Sequence, residues 1–241
     1  MKTNHNLTIL LLLYFGCALP AVAQNKSDEL KQRIQAQAQS VSPDDYAFTR
    51  TIRSDQTQGG KTEQHLTVEK FDPAKSGEAR WTLVSVDGAP PSAEALTKFR
   101  DGSAKRRVPG YSRLAAWLGT PATASTDSRG RTVFHFAALS KGTIIVLDTD
   151  VSQNATADAT VSEANGVPFV EQVHVTVRPM RIKLIAKIER YESNSRYRMG
   201  PEGKPLVMES TSEMSGSGMG QTGQVHNVTT YNDYHARGAK P

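Results

Sequence analysis

The chain has 241 residues, 37% of them hydrophobic, with a mean hydropathy of −0.47 and a net charge of +5. That surplus is mild for the length: it suits an anionic membrane surface as a neighbour and does not call for nucleic acid. Cys17 is the only cysteine, which excludes a disulfide framework and a Cys-ligated metal site.

The first 23 residues have the layout of a secretory signal peptide. Lys2 supplies a basic start, Leu7 to Leu19 is an apolar run, Pro20 breaks the helix, and Ala21-Val22-Ala23 presents small residues at the cleavage position. The run is ~13 residues long, short of the ~20 that span a bilayer. The sequence therefore predicts cleavage after Ala23 and work outside the cytoplasm. An uncleaved anchor is the rival. A lipoprotein signal at Cys17 is the other, against which Tyr14-Phe15-Gly16 is too bulky. Cys17 leaves with the leader, so the mature chain has no thiol nucleophile. What remains is expected to be one β-rich domain over 24–235, followed by a flexible tail at 236–241.

Taken in chain order, Ser27-Asp28-Glu29 marks a helix start, and Leu30, Ile34, Ala38 and Val41 form one apolar stripe. Ser42-Pro43-Asp44-Asp45 ends that helix. From Tyr46 the period changes to two: Tyr46, Phe48 and Ile52 alternate with polar neighbours. Gln58-Gly59-Gly60-Lys61 turns the chain, Leu66 and Val68 lie on the returning strand, and Arg80 to Val86 forms a third strand stopped by Asp87-Gly88. A helical insertion follows at about 90–118. It opens at Pro90-Pro91-Ser92, continues past Lys105-Arg106-Arg107, and closes with a short helix of Leu114, Trp117 and Leu118 before Gly119.

Thr120 to Arg131 and Gln153 to Asp158 are predicted polar loops, with short strands at Thr132 to Leu139 and Thr143 to Asp148 between them. Ala164-Asn165-Gly166 is a turn. Phe169 to Val177 and Met180 to Glu189 alternate cleanly and are each predicted as one strand. Three further strands, punctuated by Pro201-Glu202-Gly203 and Gly216 to Gly223, end at Tyr234. Nine to eleven strands joined by short turns imply antiparallel pairing, and the segregated helices make the fold α+β.

No catalytic centre is marked by spacing. Gly218, Gly220 and Gly223 spell G-x-G-x-x-G, but strand-like residues follow where a dinucleotide site needs a helix. The histidines have no helical ligand spacing, and no serine sits in a G-x-S-x-G elbow. No cofactor and no metal are expected. Arg53, Arg181 and Lys183 belong on a wet face, whereas Arg50 shares its face with Phe48. Either Arg50 ends the buried part of that face, or it points inward to make a functional contact. Lys105-Arg106-Arg107 is either a solvated run or a contact to anionic headgroups.

The layout of leader, amphipathic helix, strands, helical insertion and more strands is similar to the LolA/LolB-type lipoprotein carriers of the bacterial envelope. Phe71-Asp72-Pro73, Arg80-Trp81-Thr82-Leu83 and Val86-Asp87-Gly88-Ala89-Pro90-Pro91 resemble phrases of periplasmic proteins of that kind. The resemblance implies a curved, incomplete barrel capped by helices on one face, and a periplasmic, non-enzymatic protein. Its hollow would shelter a lipid or lipoprotein acyl chain. Phe48, Leu66, Trp81, Leu83, Val175, Met180 and Leu184 are then the candidate lining, and Arg50 the strand arginine that holds the lid closed. The same side chains also suit a filled core. A module that contacts a protein or glycan partner through its sheet face or loops is the alternative function. The oligomeric state is not encoded in any pattern.

Overall fold

The structure is a computed structural model that describes residues 19–103, 106–183, 186–218 and 220–238, with the backbone alone for 19–25, 103 and 183. Most of the predicted leader, Leu184, Lys105 and the last three residues lie outside the described residues.

Eleven strands form one antiparallel sheet whose two edges do not meet. In spatial order they are β3 (Trp81–Val86), β2 (Lys61–Phe71), β1 (Tyr46–Gln58), β13 (Gln221–Ala236), β12 (Pro205–Gly218), β11 (Ala186–Met199), β9 (Val167–Val177), β8 (Ala155–Ala164), β5 (Thr132–Phe136) and β4 (Thr123–Thr126). The short β10 (Met180–Lys183) pairs with β11 off this path, and β6 (Ile145–Val146) and β7 (Thr149–Asp150) make a separate hairpin. The first long strand pairs with the last, joining the N- and C-terminal meanders into one open α+β half-barrel.

Local chemistry accounts for the turns. Gly59 and Gly60 have φ of +57° and +79°, the two left-handed residues that a tight hairpin between β1 and β2 requires. The Ser92 hydroxyl accepts the Ala95 N–H at 3.1 Å and caps α2 (Ala93–Ser103).

Helices α1 (Leu19–Ser40) and α3 (Leu114–Leu118) pack together on the inner face of the sheet, burying Ile34, Ala38, Leu114 and Leu118 against Phe134, Phe136, Val170 and Val173. An aromatic cluster fills the same face under α2. There Phe48 contacts Phe71, Trp81, Tyr231 and Tyr234 at ring separations of 5.1–5.9 Å.

Several expectations are corrected. Helix α1 is described from Leu19 and runs unbroken to Ser40, so Pro20 does not interrupt the described part and Ser27-Asp28-Glu29 lies inside the helix and does not start it. The predicted loop 120–131 contains strand β4, and the predicted loop 153–158 is mostly strand β8. In β8 the buried residues are Ala155, Ala157, Ala159 and Val161, and the three alanines are too small to register as an apolar stripe. The segment Met180 to Glu189 is two strands: Met180 pairs with Ile188 and Lys183 with Ala186, so the chain doubles back without a Gly or Pro marker.

Candidate functional site

The inner face of β1 passes from apolar to charged to polar along its length. Phe48, Arg50, Ile52, Ser54 and Gln56 alternate on it, and each faces a residue of β2 in register: Phe71, Glu69, Thr67, His65 and Glu63. Glu69 is therefore carried inward beside Phe71 and is only 3% exposed. Its carboxylate holds two guanidinium groups. Arg50 donates to Oε2 at 2.7 Å from Nε, and Arg106 donates to Oε1 at 2.7 Å. Each arginine also stacks on an aromatic ring, Arg50 on Trp81 at 4.2 Å and Arg106 on Phe99 at 3.9 Å. Phe99 belongs to α2 and Arg106 follows it. Glu69 thus ties the sheet to the helical insertion. Next to Arg50, burial pushes the Tyr231 hydroxyl above its usual range, partly offset by the Arg50 charge.

Beyond this ion pair the inner face opens into a groove of about 950 Å³ at the far ends of β1, β13, β12 and β11. One wall carries Leu147 of the β6–β7 hairpin and Ile182 of β10; Ile188, Met214 and Val225 rise from the sheet. Gln56, Gln58 and Gln221 form a polar rim, with Gln58 donating to Gln221 at 2.5 Å. The groove exists because side chains are missing from its floor. Gly216 and Gly223 are a cross-strand pair, with Gly218 two residues on. At Gly216 a Cβ would lie 2.5 Å from the Lys187 carbonyl oxygen, so β11 and β12 approach this closely only over glycine. Gly223 is different: a Cβ there meets nothing nearer than 3.5 Å.

The wall is strained at its tip. Leu147 and Asp148 form the two-residue loop of the hairpin, with φ of +48° and +62°, and Leu147 is 56% exposed. A leucine in this region costs on the order of 1 kcal/mol, and such outliers concentrate at ligand-contacting segments.

The sequence-derived candidates divide between core, surface and groove margin. Phe48, Trp81, Leu83 and Val175 are buried in the core cluster and do not line the groove's described wall or floor. Leu66 is opposite Arg53 on the outer face and is 40% exposed. Met180 packs partly buried against the core and pairs with Ile188 at the groove. Leu184 is outside the described residues. Arg50 points inward onto Glu69 and Trp81, at the place where the buried part of the face ends. Glu69 went unnoticed in the sequence; Arg106, read there within a solvated or headgroup-contacting run, pairs with that buried carboxylate instead, and the floor glycines were read as punctuation. Glu69 had one available signal: it alternates in step with Phe71, a carboxylate on the apolar face.

No protein-family model matches this chain, and no curated protein matches its sequence. Among solved structures it is similar to a LolA superfamily protein from Nitrosomonas europaea, at 11% identity and a TM-score of 0.36, covering 88% of this chain and 94% of that one. It is also similar to a DUF1329 family protein from Desulfovibrio piger, at 11% identity and a TM-score of 0.30 over 90% and 94% of the two chains. A third likeness, to lipovitellin, spans 81% of this chain and 26% of that one at 9% identity and a TM-score of 0.33. The likenesses lie in the layout of strands and helices; at these scores the backbones do not superpose closely.

Proposed function

We propose that this protein is exported to the periplasm and binds an acyl chain or similar apolar ligand, without chemically changing it, in the groove at the open end of its half-barrel. The observation that carries the proposal is the groove itself: about 950 Å³ with an apolar wall, a bare glycine floor and a polar rim. Its volume lies near the top of the ~300–1,000 Å³ range of small-ligand sites. Each methylene laid along Leu147, Ile182, Ile188, Met214 and Val225 contributes ~0.8 kcal/mol, so a chain needs no special chemistry to be held. The glutamines at the rim suit the carbonyls of a headgroup, and Lys61 and Lys187 beside them suit an anionic one.

Arg50, Glu69 and Arg106 serve this function by holding the helical insertion against Phe48, Trp81 and Leu83. Releasing that contact extends the hollow from the groove toward the aromatic cluster. Residues 24–235 act as the single ligand-binding unit. Native mass spectrometry of the protein isolated from envelope extracts tests the proposal: a co-purified lipid is expected. A protein that carries none, and that leaves a fluorescent fatty acid free in solution, contradicts it.

A further inference from the structure

Near the β4 edge of the sheet, on its outer face, three polar side chains form a hydrogen-bonded row. Ser125 Oγ lies 2.6 Å from His135 Nε2, and His135 Nδ1 lies 2.6 Å from Asp158 Oδ1. Strand pairing builds the row. Asp158 of β8 is directly opposite His135 of β5, while Ser125 of β4 is opposite Val133 and so meets His135 diagonally. An ionised carboxylate only accepts, so Nδ1 carries the ring proton and Nε2 is left to accept from the serine hydroxyl. His174 faces Asp158 from β9, but its Nε2 lies 3.2 Å from the Thr176 hydroxyl, and Asp158 bonds His135.

We propose that Ser125, His135 and Asp158 form a nucleophilic centre that hydrolyses carboxylic esters. The roles follow from the order of contacts. Ser125 Oγ attacks the ester carbonyl carbon as its proton passes to His135 Nε2, and the carbonyl π pair becomes the oxyanion. Collapse breaks the ester C–O bond, and the leaving alkoxide takes the proton from Nε2 and departs as the alcohol. Water then attacks the acyl-serine with His135 again taking the proton. Collapse releases the carboxylic acid and returns the proton to Ser125. Asp158 holds the ring and stabilises the imidazolium.

The edge of the sheet supplies an oxyanion donor. The Asp127 N–H donates to the Arg131 carbonyl at 2.9 Å, which sets the alternation along β4: the N–H groups of Ser125 and Asp127 turn toward β5, and those of Ala124 and Thr126 toward the free edge. The Thr126 N–H, one residue past the nucleophile, is the donor placed for the developing charge. His135 and Asp158 side chains are 43% and 51% exposed, so water is at hand and the substrate is an ester group presented at the end of a molecule.

Reaction of the full chain with a fluorophosphonate probe, followed by peptide mapping, tests the assignment together with hydrolysis of p-nitrophenyl acetate. The expected result is a covalent adduct on Ser125 and ester turnover that is lost in Ser125→Ala and falls about tenfold or more in Asp158→Asn. Mapping of the unaltered protein does not depend on how the variants fold. No adduct on Ser125, or turnover that survives Ser125→Ala because the imidazole acts alone, overturns it.

Discussion

At the scale of single residues the most consequential group is Glu69, a buried carboxylate between Arg50 and Arg106. Removing one member of a buried ion pair leaves its partners desolvated and unpaired, which costs several kcal/mol. Glu69→Ala is therefore expected to lower stability by about 3 kcal/mol in urea denaturation, far more than Glu63→Ala on the same strand, which is exposed. The buried tyrosines add a pH effect of defined sign. Burial pushes the Tyr197 hydroxyl up to about 12 from its ordinary value near 10. Between those values the unfolded chain loses its phenol proton and the folded one keeps it. Tyr197 thus contributes a stability that is complete below about pH 10 and is lost as pH rises to about 12. A Tyr197→Phe variant should show a flatter fall in unfolding free energy across that interval, by about 2 to 3 kcal/mol.

At the scale of elements, the β11–β12 approach over Gly216 is the point of least tolerance. Gly216→Ala is expected to lower the denaturation midpoint by the equivalent of about 1–3 kcal/mol, because the intruding Cβ meets backbone and not a movable side chain. The elements also show which parts of the fold were legible in sequence. Strands β1, β2 and β3, their glycine and Asp-Gly turns, and helices α2 and α3 announce themselves through large apolar residues at period two or through helix starts and stops. Strand β8 does not, because alanines fill the space under α3 and Thr156, Asp158 and Thr160 dominate its outer face. Strand β4 is three polar residues and one alanine, and its strand state comes from pairing with β5. The serine and aspartate beside His135 were hidden for this reason: both lay in segments that resemble loops. The groove was hidden differently. Its floor is an absence of side chains, and the glycines that make it resemble hairpin punctuation until β12 and β13 are paired.

At the scale of the whole molecule, an open sheet has an inner face longer than its three described helices cover. Under α1, α2 and α3 that face is a packed core; past Arg50 and Glu69 it is bare, and the β6–β7 hairpin rises over it as a wall. The aromatic cluster around Phe48 and Trp81 fills the covered part of the face, and the proposed ligand site is the bare part. Arg106→Leu breaks the tie between Glu69 and the insertion and is expected to change how fast a bound chain is released more than the capacity to bind one. Stopped-flow displacement of a fluorescent fatty acid reads that difference. The proposed ligand site is the glycine-floored groove. Gly223→Leu is the direct test, because a Cβ there meets no atom closer than 3.5 Å and Gly223 lines the groove. In a fluorescent fatty-acid titration, saturable binding by the unaltered protein is expected, with at least a tenfold weaker affinity in Gly223→Leu and an unchanged denaturation midpoint. Equal binding by both proteins, or by neither, contradicts it.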